Sequence, residues 1–378
     1  ESYYGAGQNP NAYGGTTDLT WVAGAQYNYK FDKCIFMPAE FIAGVEFNQD
    51  ILQDVMHGYN RVLNQNTNIA SVFVQNEWKN AQWSFLIGGR LDKHNLIDHL
   101  IFSPRVTMRY NPIKDINLRA SYSFGFRAPQ AFDEDLHIDN VGGTVSMIRL
   151  ADNLKEEKSQ GVNVSADFYF GENEWRGNLL VEGFYTYLYN VFALREVGVE
   201  NGVIIKERYN ESGAEVYGGT IEGKVAYKNM WQFQAGFTLQ EALYKEARSW
   251  SDDPNVGATR KMFRSPNTYG YLTTTYNPIQ PLGISVTGTY TGKMLVEHYA
   301  GYIEHDRTET TPAFFDMNVK LNYDFKLYKN IILSVYAGVK NVFNSYQKDF
   351  DIGADRDSGY IYGPGLPRSY YGGIKLSY

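Results

Sequence analysis

No run of eighteen or more apolar residues occurs in this 378-residue chain, which excludes a membrane-spanning helix. It leaves a β-barrel open, because barrel strands alternate in polarity and escape hydropathy windows. Cysteine is nearly absent: the single Cys34 allows neither an internal disulfide nor a cysteine-based metal site. A basic stripe is missing as well, and the net charge is −7, which argues against a nucleic-acid partner. Glu1 opens directly on loop-like residues, so the N-terminus reads as processed or truncated.

Aromatic residues, by contrast, are abundant. They make up 16% of the chain, with 31 Tyr and 22 Phe against 12 Pro, while the mean hydropathy is negative. A soluble core has no need of so many tyrosines. A wall with lipid on one side and water on the other does, since Tyr and Trp suit membrane–water interfaces.

The last residues make the pattern explicit. Tyr370, Gly372, Ile374, Leu376 and Tyr378 alternate with Tyr371, Gly373, Lys375 and Ser377, an apolar face against a polar one. This strand is expected to close the wall, with no further domain after it. The same period of two predicts strands over 18–31, 41–48, 69–78, 83–91, 105–110, 116–127, 162–170, 178–194, 203–227, 231–239, 268–276, 284–291, 315–325 and 331–343. Residues 1–15 read as a loop. Arg105, Arg109, Arg119, Asp316, Lys320 and Asp324 fall on the polar faces. That face must meet water or a polar filling, because Arg or Lys facing lipid near the midplane costs about 2–4 kcal/mol.

Connection lengths supply a second regularity. Short turns near 80, 112–114, 172–173, 229–230, 278–281 and 328–330 alternate with long connections at 50–66, 128–153, 245–265, 292–312 and 347–367. An all-β, antiparallel, up-and-down transmembrane β-barrel has this arrangement, with its short turns at one end. About fifteen strands are visible, and a bacterial barrel has an even number. The chain therefore reads as the C-terminal portion, 1–378, of one larger barrel domain.

Four segments carry a family resemblance. Ser121-Tyr-Ser-Phe-Gly-Phe-Arg-Ala-Pro129 and Asn153-Leu-Lys-Glu-Glu-Lys-Ser159 resemble the paired signatures of TonB-dependent outer-membrane receptors. Tyr209-Asn210 with 216–222 resembles the family's asparagine-then-glycine-glutamate strand, and 340–344 with 363–378 resembles its C-terminal end. The resemblance implies a 22-stranded barrel filled by a preceding plug domain that this sequence does not contain. It further implies energising by a TonB–ExbB–ExbD complex, with outer-membrane lipid and lipopolysaccharide around the wall and polar strand faces pressed on the plug. A surface lipoprotein partner is left open. The cargo classes implied are ferric siderophores, haem and cobalamin.

All six histidines, His57, His94, His99, His137, His298 and His305, fall in long connections or at their rims. Imidazole suits Fe, Cu and Zn, and His137 lies between the two central signatures, where the resemblance implies a haem-iron ligand in haem receptors. The alternative is that histidine simply favours polar loops. Loop aromatics, among them Trp250, Tyr299, Tyr302 and Tyr360, either stack on a cyclic ligand or form an interfacial girdle. The candidate ligand-binding set is therefore His57, His137, His298, His305, Trp250, Tyr299, Tyr302 and Tyr360. The acidic groups Asp133–Asp135 and Asp349, Asp351, Asp355 and Asp357 read as Ca²⁺ ligands or as solvated loop. No resident cofactor or metal is expected, and no spacing compels an enzyme or adhesin. The functional expectation is active import of a scarce, large nutrient, with a passive, plugless porin or fatty-acid-type channel as the alternative.

Overall fold

A computed structural model describes residues 2–3, 13–56, 61–132, 146–200, 203–251, 253–353, 355–357 and 359–378. In chain order the first strands are β1 (Ser2–Tyr3), β2 (Tyr13–Cys34), β3 (Met37–Met56), β4 (Arg61–Lys79), β5 (Trp83–His94), β6 (Ile101–Tyr110) and β7 (Ile116–Arg127). Next come β8 (Ser146–Leu150), β9 (Glu157–Glu172), β10 (Trp175–Tyr189), β11 (Val191–Glu200), β12 (Val203–Glu211), β13 (Ala214–Tyr227) and β14 (Trp231–Arg248). The last are β15 (Thr259–Lys261), β16 (Thr268–Ile279), β17 (Leu282–Thr291), β18 (Leu295–His298), β19 (Arg307–Thr310), β20 (Phe314–Tyr328), β21 (Ile331–Lys340) and β22 (Ser369–Ser377).

Seventeen of these form one sheet, two of them the stubs β1 and β15, which leaves fifteen wall strands. Each wall strand pairs antiparallel with the next in sequence. A meander of this kind is what short turns and period-two runs specify. Several short turns place a non-glycine residue in the left-handed region, at Ile35, Asn173, Lys228 and Lys329, as tight hairpins require.

Register puts like with like. Ile284, Leu321 and Ala337 lie side by side across three strands, as do Val286, Val319 and Val339. On the opposite face Lys320 lies between Ser285 and Gly338, Asp316 faces Thr289 and Asp324 faces Ser334. Arg105 faces Ser123, and Arg119 lies between Arg109 and Ser165. Large apolar side chains of the first face stay open to the surroundings, among them Val164, Ile221 and Leu321. The buried apolar clusters sit instead at the long-loop end, around Ile97, Ile101 and Ala128 and around Val191, Ala214 and Tyr244. A sandwich would bury one face of each sheet; this sheet does not.

Three expectations need correcting. Residues 50–66 are mostly strand, because β3 and β4 stay in register up to Met56 and Arg61. The runs 178–194 and 203–227 are not single wall strands. The chain breaks at Asn190, with φ 53°, and at Gly213, with φ 144°, and β11 and β12 leave the wall to join β8 in a separate three-stranded sheet. Residues 1–15 are not all loop, since Ser2 and Tyr3 pair with Gly14 and Tyr13. Among the described residues β22 pairs with β21 and β2 with β3 and the stub β1, and the two ends of the wall do not pair with each other.

Candidate functional site

At the long-loop end, residues far apart in sequence gather into one knot. The β18–β19 hairpin ends at the pair His298 and Arg307, which aims the His298 ring at the segment between β21 and β22. There Nε2 lies 3.0 Å from both carboxylate oxygens of Asp351. The ring stacks on Tyr360 with centroids 3.6 Å apart and planes 8° from parallel. Asp351 also accepts the Asp357 N–H, and Asp357 accepts those of Tyr299 and Gly359. Gln347, 1% exposed, donates to the Tyr360 carbonyl and accepts from the Tyr362 N–H. His298, Asp351, Asp357 and Tyr360 are all buried.

Around this centre the knot is more open. Trp250 packs edge-on against Tyr299, 4.9 Å between centroids, and its indole N–H donates to Thr308 Oγ1 at 2.8 Å. Lys206 Nζ lies 5.4 Å from the Tyr299 ring, so β12 reaches the same point. Partial burial, then the carboxylates of Glu297, Asp357 and Asp306, push the Tyr299 phenol up to about 12. Burial first, and then Asp349, also push the Tyr360 and Tyr362 hydroxyls up, and both donate to Asp349. His305 lies 3.4 Å from Asp253, whose carboxyl is held low by the Asn255 N–H first and then by the Asn255 side chain and His305. Arg264 donates to the carbonyls of Gly359 and Ile361, which fastens a third loop to the knot.

The structure thus brings together Trp250, His298, Tyr299 and Tyr360 from the expected set, and holds Tyr302 and His305 on neighbouring, exposed hairpin residues. His57 and His137 lie outside the described residues, as do Asp133, Glu134 and Asp135. His94 is buried and accepts the Leu96 N–H, and His99 pairs with Glu156. Among the described residues no three His, Cys, Asp or Glu side chains converge as metal ligands. Asp349, Asp351 and Asp357 are instead bonded to hydroxyl, imidazole and amide donors. Gln347, Arg264 and Lys206 went unnoticed in the sequence, because their partners lie 13 to 97 residues away in loops that have no periodicity.

The signature residues are pins. Asn210 accepts the Lys155 N–H and donates to the carbonyls of Lys155 and Asn190, closing the point where β12 returns to the wall. Glu157 accepts the Phe192 N–H on the other side of that point. Asn341 donates to the carbonyls of Ser345 and Leu366 and accepts the Ser345 N–H. Arg127 lies over the Phe132 ring at 3.6 Å.

Comparison with known proteins agrees with the wall. The siderophore receptor PirA from Pseudomonas aeruginosa superposes with a TM-score of 0.67 at 15% identity, over 96% of this chain and 57% of that one. PirA from Acinetobacter baumannii gives 0.70 at 15%, over 96% and 55%. The ferric-catecholate import receptor Fiu from E. coli K12 gives 0.67 at 14%, over 96% and 54%. The chain therefore spans a little over half the length of these solved structures, and at such identities the likeness is one of fold. These relatives are transport receptors rather than enzymes. No curated protein matches. A family model for the TonB-dependent receptor-like β-barrel matches residues 1–342, and the chain belongs to that family.

Proposed function

We propose that this chain forms the larger part of the wall of an outer-membrane receptor that imports a scarce, large nutrient by TonB-dependent transport. The observation that carries the reading is the family match over residues 1–342 on a wall whose strands β6, β7 and β20 hold Arg105, Arg109, Arg119, Asp316, Lys320 and Asp324 on the face opposite the apolar one. On this reading a plug domain and further strands lie in a longer protein, and a TonB–ExbB–ExbD complex supplies the work. Arg105, Arg109, Arg119, Asp316, Lys320 and Asp324 then face the lumen and its plug. The cargo is a ferric siderophore, the class named for PirA and for the ferric enterobactin receptor PfeA, in preference to haem or cobalamin. Tyr299, Tyr302, His305 and Trp250 offer aromatic and polar surface to it, while His298 and Tyr360 hold the loops that carry them.

A receptor of this kind binds and is driven; it breaks no covalent bond. Growth of a deletion strain on single iron, haem and cobalamin sources tests the reading. Loss of growth on a ferric siderophore alone is expected, and unchanged growth on every source overturns it.

A further inference from the structure

The polar face of the wall is not uniform along the sheet. On β3 and β5 Arg90 meets Glu46 and Asp92, each at 2.7 Å, and on β6 and β7 that face carries Arg105, Arg109 and Arg119. On β13 it carries Glu222 and Lys224, 2.7 Å apart, and on β20 Asp316, Lys320 and Asp324. Between β13 and β20 the charge disappears. Every side chain of the polar face from 232 to 240 on β14, from 269 to 275 on β16 and from 285 to 291 on β17 is Gln, Thr, Ser, Tyr or Gly.

Register makes these positions a continuous lane. Lys224, Gln234, Thr273, Thr287 and Asn318 lie side by side from β13 to β20, and the next row of that face is Glu222, Gly236, Tyr271, Thr289 and Asp316. Each row holds its charge at an edge and uncharged groups between. Four strand spacings of about 4.8 Å make the lane roughly 19 Å wide. Thr273, Thr287 and Thr289 are exposed on it. Gln234 donates to the Tyr271 hydroxyl at 2.7 Å, and that hydroxyl donates to Glu222. The carboxylate at the lane's edge is thus already bonded. On the opposite face the same strands carry Phe237, Leu272 and Val286, like the rest of the wall, so only the polar face changes here.

We infer that this uncharged lane on β14, β16 and β17 is the strip of wall along which the cargo passes through the lumen. The inference rests on the import reading above and gives it a route. Passage needs contacts weak and numerous enough to be exchanged one for the next. Hydroxyl and amide groups both donate and accept, so successive rungs of the lane offer a polar molecule the same kind of contact. A fixed charge of either sign interrupts this. It holds or repels a charged cargo, and it keeps its own water against a neutral one. The charged sectors on either side are suited instead to holding a polar filling in place, because parting a paired, partly buried charge leaves its partner uncompensated.

The test measures uptake and binding by the full-length receptor in a deletion strain with an intact TonB–ExbB–ExbD complex. Ferric enterobactin, haem and cyanocobalamin are supplied in separate arms, and binding is read in energy-poisoned cells. Thr287→Arg and Thr287→Glu are each expected to slow uptake of the imported compound about tenfold while leaving its binding unchanged. Thr287→Gln, with the bulk of Glu and no charge, is expected to keep wild-type uptake. Thr273→Glu and Thr273→Gln, at the register partner, serve if the Thr287 variants do not reach the membrane. Import by the wild type with undiminished uptake in the charged variants, an equal loss in the Gln variant, or a loss of binding in the same proportion as uptake overturns the lane alone. A wild type that imports none of the three compounds strikes the import reading, and the lane with it.

Discussion

His298 lies face to face with Tyr360 at 3.6 Å and points its Nε2 at the Asp351 carboxylate, 53 residues further along the chain. Two long loops are thereby tied by one buried contact. Asp351→Ala would leave the His298 and Asp357 N–H donors buried without an acceptor, at about 1–3 kcal/mol each. We expect this variant to be cut by protease between β21 and β22 about ten times faster than the wild type, with the wall uncut.

The tyrosines of the knot give it an alkaline limit. The Tyr299 phenol is pushed from about 10 up to about 12, so the folded loops favour its protonated form. The stabilisation is complete below pH 10 and is lost as the pH rises toward 12. Absorbance at 295 nm during alkaline titration should show late-ionising tyrosines, and loop protection should fall over that same window. Tyr299→Phe should remove the contribution of this residue without altering protection at neutral pH.

Asn210 and Asn341 each close a loop base with three hydrogen bonds. Asn210→Ala should cost about 1–3 kcal/mol and lower the apparent unfolding temperature of the purified receptor. Asn210→Asp keeps the acceptor for the Lys155 N–H and loses the two donors, so it should fall between the wild type and alanine.

The two faces of β20 should respond oppositely to charge. Leu321→Arg, on the apolar face near the middle of its strand, should destabilise the folded receptor by about 2–4 kcal/mol. Lys320→Ala, on the other face, should change stability by less than about 1 kcal/mol. Urea titration in detergent or lipid vesicles measures both.

Fold class was legible because a period of two survives wherever one face is greasy and the other wet, as along Phe315, Met317, Val319 and Leu321. The breaks were not. Asn190 and Gly213 turn the chain out of the wall through a single left-handed residue each, and the strands on either side keep alternating, so the pattern reads straight through. The knot was half legible. Its aromatic and imidazole members were recognisable by type and position, but burial and partner choice for His298, Asp351 and Gln347 come from loop packing, which has no repeat. The height of β2–β4 was hidden for a related reason: amide residues such as Asn64, Asn66 and Gln53 look like loop by composition and stand in a strand by pairing.

Accessibility along β20 tests the central claim most directly. With Cys34 replaced by serine, single cysteines placed in turn from 316 to 325 carry a spin label in the membrane-embedded receptor. Relaxation is then measured against oxygen, which favours lipid, and against a water-soluble nickel complex. The account predicts strict alternation, with 317, 319, 321 and 323 exposed to oxygen and 316, 318, 320 and 324 shielded from it. A uniform profile, a helical period, or alternation in the opposite phase would contradict it.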